Sequence, residues 1–187
     1  MDFRILLVAL TVFSSSLSVA TAQSLPSPDD LRAAAGKDSE LMEQYRDILR
    51  DPDPNVRLSA FTKLARVESP IYRHMAYDEA FASGDHTLRA LALKYSLFDR
   101  SDIIIHYPGS EIAPEKFDLK KFNLTNGDFE VYRGGYTWSG RVQGLSVHIS
   151  FRSECAVDFT LNDDDVLTGL LKCNKKQQKA VIDLRGN

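Results

Sequence analysis

Near the C-terminal end, two alternating runs flank four turn-forming residues, and this stretch leaves the chain few options. Cys155, Val157, Phe159 and Leu161 alternate with Ala156, Asp158 and Thr160; Leu167, Gly169, Leu171 and Cys173 alternate with Thr168, Leu170 and Lys172. A period of two is the period of a β-strand. Between the runs lies Asn162-Asp163-Asp164-Asp165, a string of turn formers. Folding about Asp164 sets 161 against 167, 159 against 169, 157 against 171 and 155 against 173. The only two cysteines of the chain then face each other. Facing residues at a non-hydrogen-bonded site of an antiparallel pair have Cα atoms ~4.5 Å apart, within disulfide reach. A disulfide between Cys155 and Cys173 is therefore expected, with the Phe159 ring covering Gly169.

The beginning of the chain points to a compartment where such a bond persists. Arg4 and the amino terminus precede an apolar run over residues 5–13, followed by Ala20-Thr21-Ala22. That is the pattern of a secretory signal peptide, with cleavage expected after Ala22 and a periplasmic or extracellular destination. The run is shorter than the ~20 residues a membrane span needs, and no later segment spans. Cleavage removes one base, Arg4, and one acid, Asp2, so the net charge stays at −3. A near-neutral chain lacks the basic face that bulk nucleic-acid binding requires.

Residues 23–101 read as helical. Ser27-Pro28 and the acids after it form a helix start, and Gly36 is expected to stop that helix. A second helix begins at Asp38 or Ser39 and ends at Asp51-Pro52. Asp53-Pro54, Ser69-Pro70 and Asp85 open three more. Asp53-x-x-Val56-Arg57-x-x-Ala60 recurs as Asp85-x-x-Leu88-Arg89-x-x-Ala92, 32 residues on (Asp53 to Asp85, Arg57 to Arg89). Over residues 53–98 this resembles the HEAT-type helical repeat in a short form. The resemblance implies an Asp that caps its helix and an Arg that reaches a neighbouring Asp or loop carbonyl. It also implies a small Ala at a close helix contact and a surface that binds partners. Solenoids need about three repeats to bury a continuous core, so so short a segment must close on another surface.

Residues 102–187 read as an antiparallel β domain of five to seven strands. Residues 103–105 are a compact apolar run, and Pro108-Gly109 a turn. Asn126-Gly127 reads as a two-residue hairpin, setting Leu124 opposite Phe129 and Phe122 opposite Val131. Leu145, Val147, Ile149 and Phe151 share a face, with Phe151 meeting Cys155. A last strand over residues 179–184 turns Ala180, Ile182 and Leu184 inward. The fold class is thus α+β: helical hairpins, then a meander or sandwich with one disulfide.

Candidate functional residues are sparse. Tyr132, Tyr136 and Trp138 share parity around Gly134-Gly135 and would form an aromatic patch suited to sugar rings; filling the core is the alternative. Asp163 and Asp165 could offer oxygen ligands to Ca²⁺, although turn formation explains the run more simply. His74, His86, His106 and His148 are scattered without metal-ligand spacing. Lys172, Lys175, Lys176 and Lys179 read as a solvated connection, and Asn123-Leu124-Thr125 is a glycosylation sequon on an expected strand. No G-x-S-x-G, Walker loop or H-E-x-x-H occurs, and no cofactor is expected. Scattered carboxylates such as Asp128, Glu130 and Asp158 give only a weak motive for a hydrolase. The expectation is an exported, non-enzymatic protein that binds a protein partner or an envelope polymer.

Overall fold

The computed structural model describes residues 25, 27–152 and 154–185; the leader and its cleavage site after Ala22 lie outside the described residues. Four helices come first: α1 (Pro28–Leu49), α2 (Pro54–Leu64), α3 (Pro70–Phe81) and α4 (His86–Phe98). Eight strands follow: β1 (Asp102–Ile105), β2 (Glu115–Phe122), β3 (Asp128–Arg133), β4 (Tyr136–Gln143), β5 (Ser146–Phe151), β6 (Cys155–Leu161), β7 (Val166–Cys173) and β8 (Lys176–Asp183). The chain is an α+β protein. It divides into two compact units, residues 1–37 and 38–187.

In the first unit, Ser27 Oγ accepts from the Asp30 backbone N–H and starts α1. Gly36 does not end it: α1 continues unbroken to Leu49. One interior glycine costs about 1 kcal/mol, and the flanking Ala33, Ala34, Ala35, Glu40 and Leu41 are strong helix formers that outweigh it. Among the described residues there are therefore four helices where the punctuation suggests five.

In the second unit, the other three helices start alike. Asp53, Ser69 and Asp85 occupy the N-caps, and an arginine follows four residues later in each case: Arg57, Arg73 and Arg89. Arg57 donates to the Asp51 and Pro52 carbonyls and to the carboxylate of Asp85. Arg73 donates to the Val67 and Glu68 carbonyls and to Asp99. Arg89 reaches forward into the β region, to the Asn162 carbonyl and to Asp163. Arg57 and Arg73 thus satisfy the loop carbonyls that precede their helices, and all three guanidinium groups join their helix to another element.

The strands are strictly sequential in the sheet, from β1 to β8, and every pairing is antiparallel. His106 and Val181 exchange backbone hydrogen bonds of 2.8 and 2.9 Å, which brings the two edges together. The sheet is an up-and-down near-barrel, not a sandwich. Closure removes most of the unpaired edge that an open meander would expose. Inward residues such as Phe117, Val131, Val147, Ile149, Phe159, Leu167 and Ile182 are buried.

The register of the constraining hairpin is the one the sequence dictates. Cys155 faces Cys173, Val157 faces Leu171, Phe159 faces Gly169 and Leu161 faces Leu167. The disulfide is formed, with Cα atoms 4.2 Å apart. At the turn, Asn162 Oδ1 accepts from the Asp164 and Val166 N–H groups, and Asp165 takes a positive φ of 58°.

The Asn126-Gly127 hairpin is differently built. Phe122 faces Phe129, and Leu119 faces Val131 beyond a bulge at Lys120. Only Gly127 takes a positive φ, 81°, so a two-residue turn needing two such residues does not form. Asn123 Oδ1 accepts from the Thr125 N–H and Asn126 Oδ1 from the Asp128 N–H, which holds a wider loop. A Cβ on Gly127 would lie 2.2 Å from the Val142 carbonyl oxygen, so the glycine is needed for close approach as well. The sequon residue Asn123 consequently sits in an exposed loop, not on a strand. The basic segment expected as a connection is instead a tight hairpin: Cys173 faces Lys176 around Asn174 and Lys175, both at positive φ.

Helix α4 packs on one end of the near-barrel. Phe98 stacks on Phe122 at 5.1 Å and meets Phe129 edge-on at 5.8 Å. Lys94 donates to the Leu124 carbonyl and Arg100 to that of Leu184. All these partners lie at the end that carries the β2–β3 and β6–β7 loops. The buried apolar residues from Leu49 to Leu184 form one continuous core.

Candidate functional site at the barrel mouth

The opposite end carries the β1–β2, β3–β4, β5–β6 and β7–β8 connections, and there the interior is incompletely filled. A cavity of about 220 Å³ lies between Phe117, Trp138, Ile149, Val157, Leu171 and Ala180. The disulfide pair Cys155 and Cys173, with Gln178 and Ile112, also borders it. Eight-stranded barrels have interiors just wide enough for side chains to fill or for one small ligand. Here the inward positions nearest the mouth leave room because Ala180 is small and the loop over residues 106–114 carries only Tyr107 and Ile112 toward the opening.

The wall is aromatic on one side. Trp138 meets Phe117 edge-on at 5.4 Å and tilts against Phe151 at 5.1 Å. Tyr136 places its ring edge on Phe151 at 5.3 Å. Beside Phe117 lies a polar corner. Glu115 opens β2 and accepts from the Tyr107 hydroxyl at 2.6 Å and from the Arg133 guanidinium. Arg133 also lies over the Phe117 ring, 5.4 Å from its centre. Burial pushes the Tyr107 phenol well above its ordinary range, with the Glu115 carboxylate adding to the shift. That hydroxyl therefore stays a donor at any physiological pH.

The three aromatics proposed as one patch are not on one face. The β3–β4 turn places Val131 opposite Trp138 and Tyr132 opposite Thr137. Trp138 points inward and is only 9% exposed; Tyr136 lies on the same inner face at the rim and is 54% exposed. Tyr132 faces outward, beneath the Lys120 ammonium. Equal parity within one strand does not carry across a two-residue hairpin, where the paired numbers have an odd sum.

Asp163 and Asp165 do not converge on a common point. Asp163 pairs with Arg89 and is almost fully exposed, whereas Asp165 turns its Oδ1 inward without a hydrogen-bond partner. Desolvation raises the Asp165 carboxyl pKa, opposed by Arg89 and Arg185. Among the described residues, no three His, Cys, Asp or Glu side chains are grouped to hold a metal ion. The carboxylates considered for hydrolysis are spread over the outer surface: Asp128 on Arg141, Glu130 on Lys121, and Asp158 on His148 Nδ1 at 2.6 Å.

Two further hollows belong to the second unit. A polar cleft of about 370 Å³ between α3, α4 and the end of β8 is bordered by His74, Asp78, Asp99, Arg100 and Arg185. Burial raises the Asp78 carboxyl pKa there, while Asp99 is taken up by Arg73. An apolar groove of about 620 Å³ between α1 and α2 is bordered by Tyr45, Ile48, Val56 and Leu64. Sequence reasoning missed the mouth residues Tyr107, Glu115 and Arg133. They come from three neighbouring segments, the β1–β2 loop, β2 and β3, which the pairing of β2 with β1 and β3 brings together.

No protein-family model, curated protein or solved structure matches this chain.

Proposed function

We propose that this chain is an exported binding protein without catalytic chemistry, and that the mouth of the near-barrel is its binding end. The observation that carries this reading is the cavity at the mouth, apolar and aromatic over most of its wall with one polar corner. Binding sites commonly combine an apolar enclosure with a few placed polar groups, and barrel mouths are a frequent location. Helix α4 covers the other end, which leaves the mouth as the route into the interior. Export is supported by the leader sequence and by the disulfide. No helix among the described residues is long and apolar enough to cross a membrane.

Two partner classes remain in view. An envelope polymer is favoured by Tyr136, whose ring is half exposed at the rim against Phe151 and Trp138. A protein partner is favoured by the HEAT-like reading of the helices and by the apolar groove between α1 and α2. Retention of the chain beginning at Gln23 on isolated cell-envelope polymer tests the first; Tyr136→Ala should then weaken retention at least tenfold. Capture of a defined protein that survives Tyr136→Ala but is lost on Val56→Asp supports the second. Turnover of any envelope substrate by the chain would overturn the non-catalytic reading.

A further inference from the structure

We infer that the mouth cavity takes a neutral, single-ring apolar molecule carrying one hydrogen-bonding group, a ligand of the benzyl alcohol or phenol class. This inference rests on the mouth being the binding end, and four observations carry it to a ligand class. The first is size: about 220 Å³ exceeds the ~150 Å³ that holds one benzene ring in an apolar cavity and leaves space for a substituent. The second is shape chemistry. Phe117 and Trp138 are held edge to face, and an added ring can continue that arrangement.

The third observation is the charge state of the polar corner. Glu115 is already matched by Arg133 and by the Tyr107 hydroxyl. An ionised ligand would lose its hydration and find no unmatched countercharge, which is costly in an apolar enclosure. A neutral hydroxyl loses little, because a guanidinium carries five N–H donors, more than one carboxylate can take. The fourth is the approach. Ile112 borders the cavity but is 51% exposed, on the loop that runs across the mouth. An apolar side chain left in water at an apolar opening gains burial when a ring fills the space beneath it.

Trp138 is the only tryptophan of the chain and forms part of the wall, so its emission reports occupancy directly. Benzyl alcohol titrated into the chain beginning at Gln23, with excitation at the red edge of the indole band, should change that emission saturably. A Kd between about 10 μM and 1 mM is expected for so few atoms. Benzoate, of the same size but charged, should bind at least tenfold more weakly. Ala180→Leu fills the cavity from within, and Gln178→Phe narrows it from a position nearer the rim that is only partly buried, where a larger side chain is better tolerated. Either variant should weaken benzyl alcohol at least tenfold with its unfolding transition retained. Absence of a saturable change, equal binding of benzoate, or unaltered affinity in a folded filling variant would overturn the inference. Continued retention on envelope polymer or partner in that event would leave the binding-protein reading standing, whereas loss of both would remove both.

Discussion

Arg89, on the second turn of α4, donates through Nη1 to Asp163 at 3.1 Å and through Nη2 to the Asn162 carbonyl at 2.6 Å. The contact joins the helices to the tip of the disulfide-bearing hairpin, 74 positions later in the chain. Arg57 stands four residues after the N-cap Asp53 as Arg89 stands four after Asp85, and its carboxylate partner is Asp85 itself, at the N-cap of α4. The hairpin tip thus gives Arg89 a carboxylate partner, as the α4 N-cap gives one to Arg57, and adds the Asn162 carbonyl.

The two partners of Arg89 should differ sharply in worth. Arg89 is 8% exposed, whereas the Asp163 side chain is 99% exposed. Arg89→Ala leaves the Asn162 carbonyl without its charged donor and opens space under the hairpin. A loss of about 2–3 kcal/mol by urea unfolding is expected. Asp163→Ala removes a solvated carboxylate and should cost less than about 0.5 kcal/mol. Equal losses would mean that the ion pair, not the carbonyl contact, anchors the tip.

Asp85 has two duties that conservative substitution separates. Its Oδ1 accepts from the Thr87 and Leu88 N–H groups, and its Oδ2 pairs with Arg57 at 2.8 Å. Asn keeps the cap and loses the ion pair; Ala loses both. Asp85→Ala should cost about 2 kcal/mol, roughly half of it from the cap, and Asp85→Asn clearly less. Arg57 first, then the Leu88 N–H, holds the Asp85 carboxyl below its usual range. A depressed folded-state pKa gives stability that is complete above the unfolded value of ~3.9 and fades as pH falls through the lower one. Thermal unfolding of the wild type should thus lose this part only in acid, and Asp85→Asn should flatten that acid slope. An unchanged slope would remove Asp85 as its source.

How much of this was legible in advance depended on where the information sits. The hairpin joining β6 and β7 was readable to the residue, because alternation, turn formers and the two cysteines specify one register between them. The Asn126-Gly127 loop was not. Its shape depends on the Gly127 carbonyl accepting from Val142 and on the bulge at Lys120, both set by neighbouring strands. Helix α1 runs through Gly36 because summed propensity over the flanking residues, not a single glycine, decides where a helix ends. Closure of the sheet carries no local signal, and Tyr107, Glu115 and Arg133 become partners only when β2 pairs with β1 and β3.

Asp165 should be improvable. It combines a positive φ of 58°, a buried Oδ1 without a partner and a carboxyl pKa raised by burial. Asn tolerates the left-handed region better than most residues and carries no charge to desolvate. With the folded-state pKa raised, the wild type loses stability as pH climbs from ~3.9 to the higher value and stays at that lower level above it. Asp165→Asn should therefore stabilise the fold at pH 7 by up to about 1 kcal/mol, seen as a raised melting temperature, and the gain should vanish below about pH 4. A loss at pH 7 would show that the attraction of Arg89 and Arg185 outweighs the burial.

Gly36 offers a direct test of the unbroken first helix. It lies inside α1, its φ is not positive, and a Cβ built on it meets nothing within 4 Å. Gly36→Ala should then strengthen the helix by about 0.5–1 kcal/mol, seen as greater helicity by circular dichroism. If Gly36 were a terminating residue in the left-handed region, the same change would reduce helicity.

The disulfide links the stability of the β region to the shape of the mouth. Cys155 and Cys173 are 18 residues apart and both border the cavity. Closing a loop of that length stabilises by about 3 kcal/mol in the chain-entropy model. The pair also ties β6 to β7 where the hairpin ends and the cavity begins, far from the Arg89 anchor at the tip. Replacing both residues by Ala should lower stability by about that amount. The tip is held separately by Arg89 and by the Asn162 side chain, so fraying should start at the mouth. Hydrogen exchange should report this as faster exchange of the amides at the cysteine end of β6 and β7, with the amides near Leu161 and Leu167 still protected. Uniform loss of protection along the hairpin would instead show that the disulfide supports the whole sheet rather than its open end.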